Sequence, residues 1–163
     1  MLTNRFKFDN EEYILSFELP TVSQVLEIDA QSYDGQSFSN INELKGILMN
    51  VPFELHLNGT LVASSESTSC MTNLNFFLLR QAAMLIKPHL SLSEADSAEF
   101  TLLCDKYIED NNISAKMPPE MFIAHNLHNN TLFLNLCDFD TMPMIKYEKI
   151  QIALSCLKKK ENA

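Results

Sequence analysis

Apolar and polar residues alternate in two parts of the amino-terminal half of the chain. From Arg5 to Leu19, every second residue is apolar on both sides of the segment "DNEE". A strand with one buried face has this period, so the pattern predicts two strands and a turn. A second alternating pair flanks Asn58 and Gly59, which readily adopt the positive φ angles of a type I′ turn. We therefore expect two β-hairpins.

Two segments between these hairpins have helical spacing. In residues 21–35, apolar side chains recur every three or four positions, and Gly35 is the expected end of the helix. The run "INELKGILMN", residues 41–50, has the same spacing and ends before Pro52. The pattern predicts two short helices, and the residues just before the second hairpin also fit a longer helix.

The middle of the chain predicts two longer helices. Residues 67–87 are apolar on nearly every face, and they are followed by Pro88, which ends a helix. The second helix runs from Ser91 to about Asn111, because Ser91 stands three residues before Glu94 as in a capping box. The short connection predicts that the two helices pack together as a helical hairpin.

The last section follows Pro118 and Pro119. "PEMFIAHNLHNN" predicts a helix, and the alternation in "TLFLNLCDF" predicts a strand. Residues 144–157 fit both structures, because their apolar positions recur at two as well as at three and four residues. The length of this segment and the three lysines that follow it favour a helix, since cations stabilise the carboxyl end of a helix.

These elements predict an α+β fold in which a central helical hairpin packs with short antiparallel hairpins. A chain of 163 residues is normally one domain, so we expect a single domain over 1–163. Its regions would be hairpins and short helices in 1–66, the helical hairpin in 67–111, and a mixed strand and helix region in 117–160.

The formal net charge of -9 limits the partners of the chain. Affinity for nucleic acid depends mainly on Lys and Arg side chains that neutralise phosphates, so direct DNA or RNA binding is disfavoured. The amino terminus carries charges where a signal peptide needs an apolar stretch, and the four cysteines form no C-x-x-C pair. Both features indicate a cytoplasmic protein whose thiols stay reduced.

Two pairs of side chains are candidates for metal ligands. His125 and His128 are three residues apart and would share one face of a helix, but no third ligand stands at a supporting spacing. Asp138 and Asp140 can offer carboxylate oxygens to a divalent cation, although Asp at a strand end more often forms a turn. We favour no metal site, and both alternatives stay open at this point.

Catalytic and cofactor motifs are not evident in the sequence. The chain has only three glycines, none near another, which argues against a phosphate-binding loop. Cys70 stands at a predicted helix start, where a thiol pKa can be lowered, but no His lies near it in sequence as a base. We expect neither an enzyme nor a cofactor, and no small-molecule substrate is indicated.

The predicted helix at 67–87 has apolar side chains on nearly every face, and other groups must bury them away from water. Arg80 and Gln81 interrupt it, and its apolar runs are much shorter than the ~20 residues of a membrane span. One interpretation is a helix buried in the core of the chain. The other is that one face binds further protein subunits, including a second copy of this chain, because aromatic and Met side chains dominate interfaces. The candidate partner-binding residues are Phe76, Phe77, Leu79, Ala83 and Met84.

Two blocks of sequence resemble a known class of protein. "ELPTVSQVLEIDAQ", Glu18 to Gln31, is similar to the opening of tail-assembly chaperones and of tail or baseplate proteins of large tailed bacteriophages. The block from Ser67 to Glu109 is similar in layout to the paired helices that follow in such chains. The resemblance implies a non-enzymatic phage protein in the host cytoplasm or the virion, which forms part of a tail, neck or baseplate or escorts such a component.

A different class of protein also fits the composition. An acidic inhibitor or immunity-type protein covers a basic site on a toxin, nuclease or host protein, and its carboxylates steer association. The acidic residues that would supply such a surface are Glu11, Glu12, Glu94, Asp96, Glu99, Asp105, Glu109 and Asp110. Binding that weakens strongly with salt would indicate the inhibitor, and binding that persists would indicate the assembly protein.

Overall fold

A computed structural model of the protein describes residues 1–66, 76–110, 117–128 and 138–162. The chain divides into two compact units, Met1–Leu90 and Ser91–Ala163. Helices and antiparallel strands are both present, which confirms the predicted α+β class. The division falls inside the region 67–111, and the single domain over 1–163 stays a prediction.

The strands of the first unit confirm both predicted hairpins. Its described strands are β1 (Leu2–Phe8), β2 (Glu11–Phe17), β3 (Tyr33–Asp34), β4 (Ser37–Phe38), β5 (Phe53–Leu57) and β6 (Thr60–Ser64). Four of them form an antiparallel sheet in the order β1-β2-β5-β6, and β3 pairs with β4. The turns of the two predicted hairpins use positive φ angles of 51° and 63° at Asp9 and Asn10, and of 52° and 80° at Asn58 and Gly59.

The sheet buries one face. Leu15 pairs with Leu55 and Phe17 pairs with Phe53 across β2 and β5, and all four side chains lie in the core. The residues between them in sequence point to the other face, where Glu54 is exposed. The alternation in the sequence therefore identifies the face of the sheet that the helices cover.

Among the described residues of the first unit, the helices are α1 (Val22–Gln31), α2 (Asn40–Asn50) and α3 (Phe76–Ile86), and a 3-10 turn at Lys87–His89 follows α3. Thr21 caps α1 in a capping box with Gln24. The predicted helix end at Gly35 is wrong, because α1 ends at Gln31. Gly35 has a φ of 66° and lies in the turn between β3 and β4.

A glycine allows α1 and α2 to approach closely. A Cβ atom at Gly46 would lie 3.5 Å from the Cα atom of Ile28 and 3.4 Å from the side-chain oxygen of Gln31. Asn50 also donates a hydrogen bond of 3.0 Å to that oxygen of Gln31. These contacts fix α2 against α1, and α2 in turn packs against α3.

In the described ranges of the second unit, the regular elements are the helices α4 (Glu94–Glu109), α5 (Pro119–His128) and α6 (Met144–Glu161). Helix α6 contacts both of the others, and it resolves the ambiguity of residues 144–157 in favour of a helix. Most of the predicted strand "TLFLNLCDF", and residues 67–75 of the predicted apolar helix, lie outside the described residues.

One detail of the predicted helical pair needs correction. Ser93, not Ser91, is the N-cap of α4, because its hydroxyl accepts a 3.1 Å hydrogen bond from the backbone N–H of Asp96. Glu94 is then the first helical residue and not the partner of a capping box. Within the first unit α3 packs on α2, and within the second unit α4 packs on α6, while the packing of the pair as a helical hairpin stays a prediction.

The corrected cap leads to a test with a matched control. Replacing an N-cap Ser by Ala costs about 1 kcal/mol, because one backbone N–H of the first turn loses its acceptor. We expect Ser93→Ala to lower the free energy of unfolding by that amount in urea denaturation. Ser91→Ala, at an exposed position two residues earlier, should leave it unchanged within about 0.5 kcal/mol. Equal losses in the two variants would contradict the cap assignment.

Candidate functional site

Helix α3 has one wide buried face and one exposed apolar face. Two residues of the predicted partner-binding set, Leu79 and Ala83, are only 7% and 0% exposed and lie in the core. The other three residues of that set remain exposed, with Phe76 at 49%, Phe77 at 61% and Met84 at 47%. None of the described helices, α3 included, has the length and hydropathy of a membrane span.

The exposed face of α3 forms one wall of a groove whose other wall is α2. Phe76, Arg80 and Met84 follow one another at intervals of four residues along α3, and Ile41 and Met49 stand on α2. The groove has a volume of about 490 Å³ near the start of α2, and an adjoining apolar part of about 250 Å³ lies toward the end of α2. The α2–α3 groove is lined by Asn40, Ile41, Glu43, Leu44, Lys45, Leu48, Met49, Phe76, Leu79, Arg80, Met84 and Lys87.

The floor of the α2–α3 groove is apolar and its edges are basic. Leu44, Leu48 and Leu79 are nearly buried at its floor. Lys87 donates to Glu43 at 2.7 Å, which links α2 to the residues just after α3. The groove therefore carries three cations (Lys45, Arg80, Lys87) and one carboxylate (Glu43), which is a local excess of two positive charges in a chain of net charge -9.

A second depression lies on the other side of the α3 ridge. It is lined by Phe8 from β1 and by Phe77, Arg80, Gln81 and Met84 from α3. Arg80 and Met84 line both depressions, so they form the crest between them. Phe77 thus belongs to a different part of the surface from Phe76, although the two rings contact each other edge to face with centroids 5.9 Å apart.

Sequence reasoning does not identify α2 as part of a binding surface. The spacing in residues 41–50 predicts only a short helix, whereas Ile41 is 54% exposed and Met49 is 65% exposed in the structure. The available signal is that Ile41 and Met49 widen the apolar surface of α2 beyond the stripe that packs in the core. Which apolar residues stay uncovered depends on where α3 crosses α2, and one sequence does not reveal that crossing.

The histidine pair does not converge on one ligand. The Nε2 atom of His128 lies 2.6 Å from a carboxylate oxygen of Glu161, which joins the ends of α5 and α6. His125 is exposed on α5. Across the described ranges, no three side chains of the types His, Cys, Asp and Glu are grouped so that they could hold a metal ion.

Asp138 builds the turn that precedes α6. Its side-chain oxygen accepts a 3.0 Å hydrogen bond from the backbone N–H of Asp140. Its carbonyl oxygen accepts further bonds from the N–H groups of Thr141 and Met142. This geometry matches the turn interpretation of the sequence, because Asp readily bonds to the backbone two residues on.

Two buried thiols meet in the core of the second unit. Cys104 on α4 and Cys156 on α6 are both free and buried, and both belong to the apolar core of this unit. Burial raises the pKa of Cys104 to about 12 and that of Cys156 to about 11, with nearby Asp105 adding to both. Since the thiolate is the nucleophile, these thiols are chemically inert at neutral pH. The candidate Cys70 lies outside the described residues.

The different burial of two α3 residues can be tested by paired substitutions. Leu79→Ala removes a buried side chain and should lower the free energy of unfolding by about 2–4 kcal/mol. Phe76→Ala removes an exposed ring and should change it by less than about 0.5 kcal/mol. Urea denaturation of both variants measures the contrast. A large loss in Phe76→Ala would mean that this ring is covered within the chain.

The buried thiols also predict a dependence of stability on alkaline pH. The ordinary pKa of a thiol is 9, so below this pH the thiols keep their protons in the folded and in the unfolded chain. The stability of the fold is then not reduced by thiol ionisation. As pH rises toward about 11 to 12, the unfolded chain loses these protons while the folded chain retains them, so stability falls. The slope is up to about 1.4 kcal/mol per pH unit for each thiol. Thermal unfolding at pH 8 to 10.5 should show a shallower decline in Cys104→Ala than in the wild type.

Comparison of the chain with protein-family models, curated proteins and solved structures finds no significant match. The resemblance to phage tail proteins consequently stays a prediction from the sequence. The α2–α3 groove is the best-defined candidate site, since described residues form its apolar floor, its exposed walls and its basic edges.

Proposed function

We propose that the protein is a non-enzymatic binding protein that holds another protein subunit in the α2–α3 groove. The observation that carries this proposal is the row of exposed apolar side chains along both walls, Ile41 and Met49 on α2 and Phe76 and Met84 on α3. Single exposed apolar residues are ordinary on protein surfaces, but a contiguous group around a concave floor is typical of an interaction site.

The types of residue in the groove also favour a protein partner. Met is flexible and polarisable, so two Met side chains adapt to the shape of a partner, and an aromatic ring such as Phe76 supplies a large apolar contact. Residues of this kind contribute most to binding when they are central and shielded from water by their neighbours. The floor of the groove is apolar, so contacts that a partner makes there can exclude water. It is formed by Leu44, Leu48 and Leu79.

The proposed setting is a tailed bacteriophage. The sequence blocks 18–31 and 67–109 support it through their resemblance to tail-assembly chaperones and to tail or baseplate proteins. In this setting the protein acts in the host cytoplasm or in the virion, as a component of the tail, neck or baseplate or as the chaperone of one. Such proteins function by holding other subunits, which agrees with an apolar groove as the working surface.

A second candidate function is supported by a separate observation on α4. Four carboxylates on this helix, Glu94, Asp96, Glu99 and Glu109, are exposed. A surface of this kind suits an inhibitor that covers a basic site, and its binding would weaken steeply with added salt. The apolar groove instead supports an assembly protein. Apolar contacts in the groove would persist at ~1 M salt, where the Debye length is about 3 Å and contacts between charges are screened.

The proposed function can be tested by site-specific photo-crosslinking. A photoreactive phenylalanine analogue at position 76 or 84 should form a crosslink to one discrete protein in cells that are assembling phage particles, because these side chains lie in the interface. The matched control is the same analogue at Leu26 on α1, which is 53% exposed and outside the groove. Mass spectrometry of the crosslinked band identifies the partner.

The outcomes of this experiment separate the two candidates. A crosslink at positions 76 and 84 that is absent at position 26, and that still forms when a cell lysate is irradiated at ~1 M salt, supports a groove-binding assembly protein. Crosslinks only from analogues placed on the exposed face of α4, which no longer form when the lysate is irradiated at ~1 M salt, would favour the inhibitor. Equal labelling at positions 26, 76 and 84 would contradict a specific site in the groove.

A further inference from the structure

We propose that the occupant of the α2–α3 groove is a single amphipathic helix of the partner, with acidic side chains beside its apolar stripe. This inference rests on the proposed function, that the groove binds protein, and adds the chemistry and conformation of the bound segment.

The walls of the groove have the dimensions of a helix-binding site. Ile41 to Met49 on α2 and Phe76 to Met84 on α3 each span nine residues, and the eight steps between the end residues correspond to about 12 Å along a helix axis. Residues near the start of α2 lie opposite the end of α3, so the two helices run antiparallel. Two neighbouring helices with an apolar floor between them favour a third helix, which contributes anchors at intervals of three and four residues over two to three turns.

The positive charges at the edges of the groove favour acidic residues on both sides of the apolar stripe of the partner helix. Lys45 and Arg80 are exposed, and neither has an ion-pair partner within 4 Å in the part of the chain that the structure describes. Lys87 is already paired with Glu43. A partner helix with Glu or Asp next to its apolar stripe therefore meets two available cations, whereas a basic helix meets repulsion.

The same two cations argue against a symmetric dimer through the groove. A two-fold contact brings the same patch of both chains together, so two grooves that each carry an excess of two positive charges would meet. Like charges held close together in a contact that excludes water are unfavourable. The partner segment is consequently expected to come from a different surface, with negative charge where this groove is positive.

The inference can be tested with two synthetic peptides that differ only in charge. Both carry leucines at positions i, i+4 and i+7 and are held helical by a covalent staple on the opposite face, because free helices shorter than ~12–15 residues are marginal in water. One peptide has Glu at the flanking positions and the other has Lys. Fluorescence anisotropy with the full chain at low salt should show binding that is about tenfold tighter for the Glu peptide.

Reversing the charge of the groove should reverse this preference. The variant Lys45→Glu with Arg80→Glu should bind the Lys peptide about tenfold more tightly than the Glu peptide. The matched control is Lys146→Glu with Lys160→Glu, at exposed positions of α6, because it changes the net charge equally and should retain the wild-type preference. The preference of the wild type should shrink at ~1 M salt.

Three results would overturn the inference, and each leaves a distinct account of the proposed function. Equal affinity for both peptides would mean that charge does not select the partner. No binding of either peptide, together with crosslinks at positions 76 and 84, would mean that the groove binds protein but not a helix. A dimer by light scattering that excludes the peptides, and is lost in Met84→Ser, would mean that a second copy occupies the groove.

Discussion

The register between β2 and β5 is the constraint on which the first unit depends. Leu15 opposite Leu55, and Phe17 opposite Phe53, put four large side chains on one face of the sheet. Because side chains alternate between faces, a slip of one residue would place Glu54 in the core. The segment between β2 and β5 contains α1 and α2, so the register fixes the two strand ends to which this helical segment is joined.

Helix α3 combines two roles that are usually given to different elements. Its residues Leu79 and Ala83 complete the core, and the small size of Ala83 allows close packing. Its residues Phe76 and Met84, only a few positions away, form a wall that faces solvent. A rigid core therefore supports the exposed residues directly, and less conformational entropy is lost when a partner binds to a surface that is already ordered.

The sequence predicts local structure in this chain more completely than it predicts the site. Both hairpins follow from alternation and from turn residues such as Asn58 and Gly59, and α6 follows from its length, because these signals are local. The cap at Ser93 is missed because two serines both precede the helix at suitable positions. The groove is only half predicted, since Phe76 and Met84 stand out in the sequence but the crossing of α2 and α3 depends on contacts between distant residues.

An open apolar groove has a consequence for the behaviour of the unbound protein in concentrated solution. Water-exposed apolar walls promote irregular association between copies, whereas the net charge of -9 makes the copies repel one another. This repulsion extends about 10 Å at 0.1 M salt. The acidic composition thus contributes colloidal stability to a chain whose surface includes an apolar groove.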